Sequence, residues 1–278
     1  MNESAAAARW YFLNSGLCPG IVNMAVDESL VRRLLEGNGG PTLRVYGWDP
    51  FAISLGYHQR ETDVDGMKCL LNGIDVVKRP TGGRAIFHSN ELTYCVVMLA
   101  EGKSIASIYS DISRALTAGL RRLGADVEFA ASSTDTVRMY QGSAPAPCFS
   151  STSRYEIQYR GKKLVGSAQR RYVSPEGVEA VLQHGSILLG PEHKRLAEFM
   201  NVPDENRRNV LKDQFDTRTT DLESVLRRPV PFDEVSESVR KGFAETWNID
   251  FVDAEMAEWA ALPGAEFADA LHIIEERS

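Results

Sequence analysis

The chain has 278 residues, 43% of them hydrophobic, and a formal net charge of -7. That length supports one large or two small domains with a sizeable core, and the acidic balance argues against nonspecific nucleic-acid binding, which depends on neutralising many phosphates. The N-terminus M-N-E-S-A-A-A-A-R-W lacks a basic segment leading into an apolar stretch, and no run approaches the roughly 18 apolar residues of a membrane span, so neither export nor membrane insertion is expected.

In chain order, Arg9 to Asn14 reads as a strand and Gly20 to Glu36 as a helix with Ile21, Met24, Ala25, Leu30, Leu34 and Leu35 on or near one face. Strands at Thr42–Tyr46 and Ala52–Leu55 flank the turn G-W-D-P. A helix over Asp63–Asn72 and a strand over Ile74–Lys78 lead into K-R-P-T-G-G-R-A-I-F-H, whose adjacent glycines call for a loop that approaches something closely. Strands follow at Ala85–Phe87 and Glu91–Met98, placing that loop at the end of a sheet. From Ser104 to Gly124 the apolar positions Ile105, Ile108, Ile112, Leu116, Leu120 and Leu123 recur at helical spacing, with Ser104 as N-cap and Gly124 closing the helix. A strand at Val127–Phe129 precedes a long loop, Ala130 to Pro147, interrupted by Pro and Gly; loops of this kind often carry function. Tyr155–Arg160, Lys163–Arg170 and Val178–Leu188 read as a hairpin-rich sheet, His193–Met200 as a short helix and Pro203–Thr219 as polar and irregular. Helices at Phe232–Trp247 and Ala265–Glu276, with a strand at Asp250–Val252 between them, complete the pattern. The arrangement is α+β.

Four irregularly spaced cysteines, Cys18, Cys69, Cys95 and Cys148, fit free thiols in a reducing compartment, so the expected location is the cytoplasm. Cys69 and Cys95 lie in apolar runs and read as core filler. Cys148 instead follows A-P-A-P in the long loop, where a thiol can be partly exposed and ionised by a nearby cation. Lys162 and Lys163 open a strand after a Gly turn and must point to opposite faces. Lys163, followed by Leu164, Val165 and Gly166, is the one expected to face a cleft and to move protons at a thiol or an amine. Thiol, amine and glycine-lined cleft together suggest acyl transfer. The Gly82–Gly83 loop either cradles a phosphate with backbone amides or lies against an acyl chain. Neither P-loop spacing nor G-x-G-x-x-G occurs there. The five histidines (His58, His88, His184, His193, His272) lack zinc-ligand spacing, and no metal is expected.

Taken together, R-P-T-G-G-R-A-I-F-H, E-L-T-Y-C-V-V, the loop Cys148, G-K-K-L-V-G-S-A-Q-R-R and L-Q-H-G-S-I-L-L resemble the biotin/lipoate protein ligase family, and most of all its cysteine-dependent octanoyltransferases of the LipM type. The resemblance runs from Trp10 to Leu189. It implies a central mixed sheet with flanking helices, the class II synthetase-like catalytic fold, with residues 1–225 as catalytic domain and 226–278 as a short C-terminal helical segment packed on it. It further implies transfer of an octanoyl group from acyl carrier protein to the lysine of a lipoyl domain of a 2-oxoacid dehydrogenase or of glycine-cleavage H protein. Carried over by position, Cys148 matches the nucleophile and Lys163 the catalytic lysine; Arg79, Thr81, Gly82, Gly83 and Arg84 match the acyl-tunnel loop, with His88 beyond it and Gly166, Ser167 and Ala168 on the opposite wall. An octanoyl thioester is already activated, so neither cofactor nor metal is implied.

The alternatives are an ATP-dependent lipoate ligase, an amidotransferase between lipoyl-bearing proteins, and a non-catalytic acyl-binding scaffold. Arg84 stands where the ligases commonly carry a third glycine. A monomer is expected, with Arg121, Arg122, Arg170 and Arg171 as a docking patch for acidic carrier and lipoyl domains.

Overall fold

The computed structural model describes residues 8–130 and 156–256. Eight strands form one mixed sheet in the order β11-β1-β2-β6-β10-β9-β8-β7: β1 (Ala8–Cys18), β2 (Thr42–Trp48), β6 (Glu91–Leu99), β7 (Glu128–Ala130), β8 (Glu156–Tyr159), β9 (Lys162–Val173), β10 (Glu179–Leu188) and β11 (Ile249–Ala254). β1 pairs in parallel with β2 and β11, and every other neighbour in this sheet is antiparallel. A second sheet of three strands has β3 (Ala52–Leu55) between β4 (Asp75–Lys78) and β5 (Ile86–His88). The two strands flanking G-W-D-P therefore belong to different sheets, and the turn carries the chain from one layer to the other.

The two faces of the main sheet are built differently. On one lie α3 (Ile105–Arg122) and α7 (Phe232–Trp247). Ile108, Ile112, Ala115, Leu116 and Leu120 recur every three or four residues and bury against Leu43, Val45, Tyr94 and Val96 of the sheet and Val235, Val239 and Phe243 of α7. The Ser104 hydroxyl caps α3 by accepting from Ser107 N at 3.1 Å. Gly119 and Gly242 let the two helices meet at their backbones, for a Cβ on Gly242 would stand 2.4 Å from Gly119 N. On the other face lie α1 (Gly20–Leu35) and the small sheet. There Asn23 and Asp27 are buried, whereas Ile21, expected on the core side, is 52% exposed.

The small sheet rests on a third apolar cluster that includes α2 (Gly66–Leu71), α4 (Leu196–Phe199) and α5 (Glu205–Arg218). The segment 203–219, expected to be irregular, contains the helix α5. Its N-cap Asp204 accepts from Arg207 N at 2.8 Å, and only Leu211 and Phe215, four apart, are buried. Two apolar anchors in a polar stretch are too few to raise a helical periodicity. A short helix, α6 (Leu222–Leu226), then leads to α7, and the chain finishes its described course as the edge strand beside β1. The expected helix at 265–276 lies outside the described residues. Among those described, no helix is long and apolar enough to cross a membrane.

Candidate functional site

The glycine loop joins β4 to β5, so the small sheet holds it over the main sheet. Tyr57 N donates to Thr81 O at 2.9 Å. Arg79, 3% exposed, donates to Gly82 O at 2.9 Å, Arg84 O at 2.8 Å and Ser54 O at 3.0 Å. The guanidinium thus serves the loop's own carbonyls, using its planar set of donors. Gly83 has φ +97°, open to glycine at no steric cost. Gly56 is required for a different reason: a Cβ there would lie 2.0 Å from Gly83 O.

Opposite the loop stands the wall made by Gly166, Ser167 and Ala168 of β9. From behind, Tyr94 Oη donates to Ser167 Oγ at 2.7 Å and Tyr109 Oη to Ser167 O at 3.3 Å; burial pushes the Tyr94 phenol up to about 12, keeping it a donor. β10 approaches so closely that a Cβ on Gly185 would meet Gly166 O at 2.3 Å. Arg79, Ser54, Ile86 and His88 from the small-sheet side and Gly166, Ser167, Ala168, His184 and Ser186 from the main sheet line a single cavity, with Met24, Tyr46 and Trp48 beside them. Its volume is about 20 Å³, room for roughly one water. An acyl chain enters only if the lining parts.

The cavity wall is backed by two buried polar networks. In one, the Asp27 carboxylate accepts from Arg44 at 2.7 Å, Tyr46 Oη at 3.0 Å and His184 Nδ1 at 2.9 Å. Burial pushes this carboxyl up, but Arg44 and the bond from His184 outweigh it and hold the group below its ordinary value. Burial lowers the His184 imidazole, so it is neutral near pH 7. A carboxylate only accepts, so the proton of neutral His184 sits on Nδ1, and Nε2 accepts from the Thr81 hydroxyl at 2.6 Å. In the other network, Glu91 Oε1 accepts from His88 Nδ1 at 2.8 Å, Thr93 at 2.6 Å and Ser186 at 2.7 Å. His88 Nε2 and the Ser54 hydroxyl share a hydrogen bond of 2.7 Å, and the His88 ring stacks on Trp48 with centroids 3.9 Å apart.

Lys163 reaches the same face of the sheet through a β-bulge. Ile157 and Gln158 are adjacent on β8 and point to opposite faces, while their partners on β9 are Val165 and Lys163. The extra residue, Leu164, packs with Val165 into the α3-side core, which turns Lys163 to the side of Gly166 and Ala168. Lys163 is buried and its Nζ donates to Glu156 at 2.7 Å. Lys162 points outward and donates to Asp216 O. Cys148 lies outside the described residues.

The site residues expected from sequence thus divide. Arg79, His88, Gly166, Ser167 and Ala168 share one cavity, Thr81 bonds to a cavity-lining histidine, and Gly82, Gly83 and Arg84 complete the loop. Lys163 stands three residues upstream of the wall. The four arginines expected to form a docking patch are not together. Arg171 bonds to Lys103 O and Glu179 ahead of α3, whereas Arg121 binds Val127 O and Arg122 binds Glu245 at its far end, and 18 residues of helix span about 27 Å. Arg170 turns to the opposite face and donates to Pro80 O.

Sequence reasoning does not single out Asp27, Arg44, Ser54 or Glu156, and it includes Glu91 and His184 only within the motifs E-L-T-Y-C-V-V and L-Q-H-G-S-I-L-L, with no role assigned beyond the exclusion of His184 as a zinc ligand. The available signal was a carboxylate at a core position of α1, three residues from Met24 and Leu30. Cys18, Cys69 and Cys95 are buried free thiols. Among the described residues, no group of three or more His, Cys, Asp or Glu side chains is arranged to hold a metal ion.

Residues 19–244 match the family model of the lipoyl protein ligase A/B catalytic domain. The chain is 39% identical over 241 residues to the octanoyltransferase LipM of Kyrpidia tusciae, covering 85% of this chain and 86% of that protein. It is 37% identical over 246 residues to the octanoyltransferase LipM of Geobacillus kaustophilus, covering 86% and 87%. Among solved structures, a bipartite lipoate protein ligase from Thermoplasma acidophilum superposes with TM-score 0.71 at 23% identity, over 98% of this chain and 93% of that one, a likeness of fold.

Proposed function

The chain belongs to the lipoyl protein ligase A/B catalytic-domain family, and on that premise we propose that it is an octanoyltransferase of lipoate synthesis. It takes the octanoyl group from octanoyl-acyl carrier protein and places it on the lysine of a lipoyl domain or of glycine-cleavage H protein. The observation that carries this reading is the identity of 39% to a protein named as an octanoyltransferase, extending over 85% of this chain and 86% of the relative.

In the proposed reaction the Cys148 thiol ionises and its thiolate attacks the carbonyl of the donor thioester, the carbonyl–sulfur bond to the carrier breaks, and the expelled carrier thiolate takes up the proton that Cys148 gave up. The octanoyl group is then a thioester on Cys148. The acceptor lysine attacks as a free amine, the new amide forms, and the Cys148 thiolate is released as the amine proton departs. One thioester replaces another in the first half, so no nucleotide is consumed. Lys163, ion-paired to Glu156 in a buried setting, supplies a fixed positive charge for the thiolate and for the oxyanion that develops on the carbonyl. The acyl chain runs between the glycine loop, against which Gly56 packs, and the Gly166–Ala168 wall, against which Gly185 packs.

Incubation with octanoyl-acyl carrier protein and an apo lipoyl domain should add one octanoyl group to the domain without ATP. Adenylate formation from lipoate and ATP, with no transfer from the carrier, would instead make the protein a ligase.

A further inference from the structure

The glycine loop is anchored to its own layer by Tyr57 N and by Arg79. Its ties to the opposing sheet are of another kind: Arg170 donates to Pro80 O at 3.0 Å from a half-buried position, and His184 holds the Thr81 hydroxyl at 2.6 Å in full burial. His184 pairs in register with Ala168 on the neighbouring strand. The Thr81 bond therefore fixes the loop relative to the wall it faces, beside the cavity that Arg79, His184 and the wall line.

We propose that His184 is a positioning residue for acyl transfer: it sets the gap between the glycine loop and the Gly166–Ala168 wall through Thr81, with Asp27 dictating which ring nitrogen faces the loop. Only a neutral ring protonated on Nδ1 offers an acceptor to Thr81. Asp27 enforces that form with a 2.9 Å bond, and it is itself held ionised by Arg44. The chain α1–β10–loop thus links a buried ion pair to a glycine-containing segment that Tyr57 and Arg79 fix only to its own layer. A cavity of about 20 Å³ must widen to admit a chain, and of the loop's two ties to the opposing sheet the Thr81 bond is the one made between fully or nearly buried side chains. The assignment rests on the octanoyltransferase reading for the identity of the substrate alone.

Two substitutions separate the two ring nitrogens. His184→Asn keeps a donor at the Nδ1 position for Asp27 and withdraws the acceptor from Thr81; His184→Gln keeps an acceptor at the Nε2 position and abandons Asp27. Thermal stability, amide hydrogen exchange across residues 79–84, and KM against kcat for the octanoyl donor are measured on each, together with Thr81→Val and Thr81→Ser. The expected result is that H184N and T81V both speed exchange in the loop and raise KM about tenfold, the worth of one buried hydrogen bond, with kcat changed far less. T81S restores both values, and H184N combined with T81V is no worse than either alone. H184Q loses more stability than H184N yet disturbs the loop less. Loop exchange unchanged in H184N and T81V would overturn the proposal, as would KM effects that simply follow stability, with H184Q the worst and T81V silent. If the parent protein fails to transfer octanoate, the octanoyltransferase reading falls while the exchange measurements still decide whether His184 positions the loop.

Discussion

The two faces of the main sheet make opposite uses of burial. Against α3 and α7 the interior is mainly apolar, and its buried hydroxyls bond to nearby helix carbonyls, Thr117 to Ser113 O and Ser238 to Gly119 O. Against α1 the same depth holds Asp27, Arg44 and His184, each fully or nearly buried and each satisfied by another. An apolar face tolerates exchange of one hydrophobe for another of similar volume. A buried polar network does not, because removal of one member strands the rest. The first face is scaffold, and the second carries the buried polar groups that back the cavity.

The largest expected effect therefore comes from Asp27→Ala, which leaves Arg44 and His184 buried without their carboxylate. A loss of about 3–5 kcal/mol is expected by denaturant unfolding, and a loss under 1 kcal/mol would show that this face is no more demanding than the other. The second test uses pH. Burial pushes His193, packed behind β5, down to about 4 from 6.5. The unfolded chain then binds more protons between those values, so stability is complete above pH 6.5 and declines as pH falls toward about 4. His193→Gln should flatten that decline. Third, Gly56→Ala introduces a methyl 2.0 Å from Gly83 O and should cost about 1–3 kcal/mol while depressing transfer more than stability. The smallest effect belongs to the scaffold face: Ser104→Ala removes the α3 cap and should cost about 1 kcal/mol with unchanged transfer rate per folded molecule.

The same contrast explains what could be read from the sequence. α3 and α7 were legible to within a residue or two, α3 because periodic apolar residues, an N-cap and a closing glycine agree, α7 from the four-residue spacing of Val235, Val239, Phe243 and Trp247 alone. β9 and β10 were legible through alternation and the Gly161 turn. The glycine loop was found from local composition, since paired glycines carry their constraint in the chain itself, whereas its partner wall at Gly166, Ser167 and Ala168 followed only from the family resemblance. Asp27 was hidden because its partners lie 17 and 157 residues away, and its place among the core positions of α1 does not reveal what it binds. The bulge that turns Lys163 toward the wall arises from a register shift between β8 and β9, which strand alternation alone does not reveal. α5 was missed for want of apolar anchors, and the arginine patch dissolved once α3 set its members a helix length apart.

The most direct test of the acyl-enzyme mechanism is intact-mass and peptide-mass analysis of the protein after exposure to octanoyl-acyl carrier protein without acceptor. One octanoyl group should appear on Cys148, be released by hydroxylamine, pass to an added lipoyl domain, and be absent from a folded Cys148→Ala variant. Unchanged octanoylation and transfer by that variant would contradict the account.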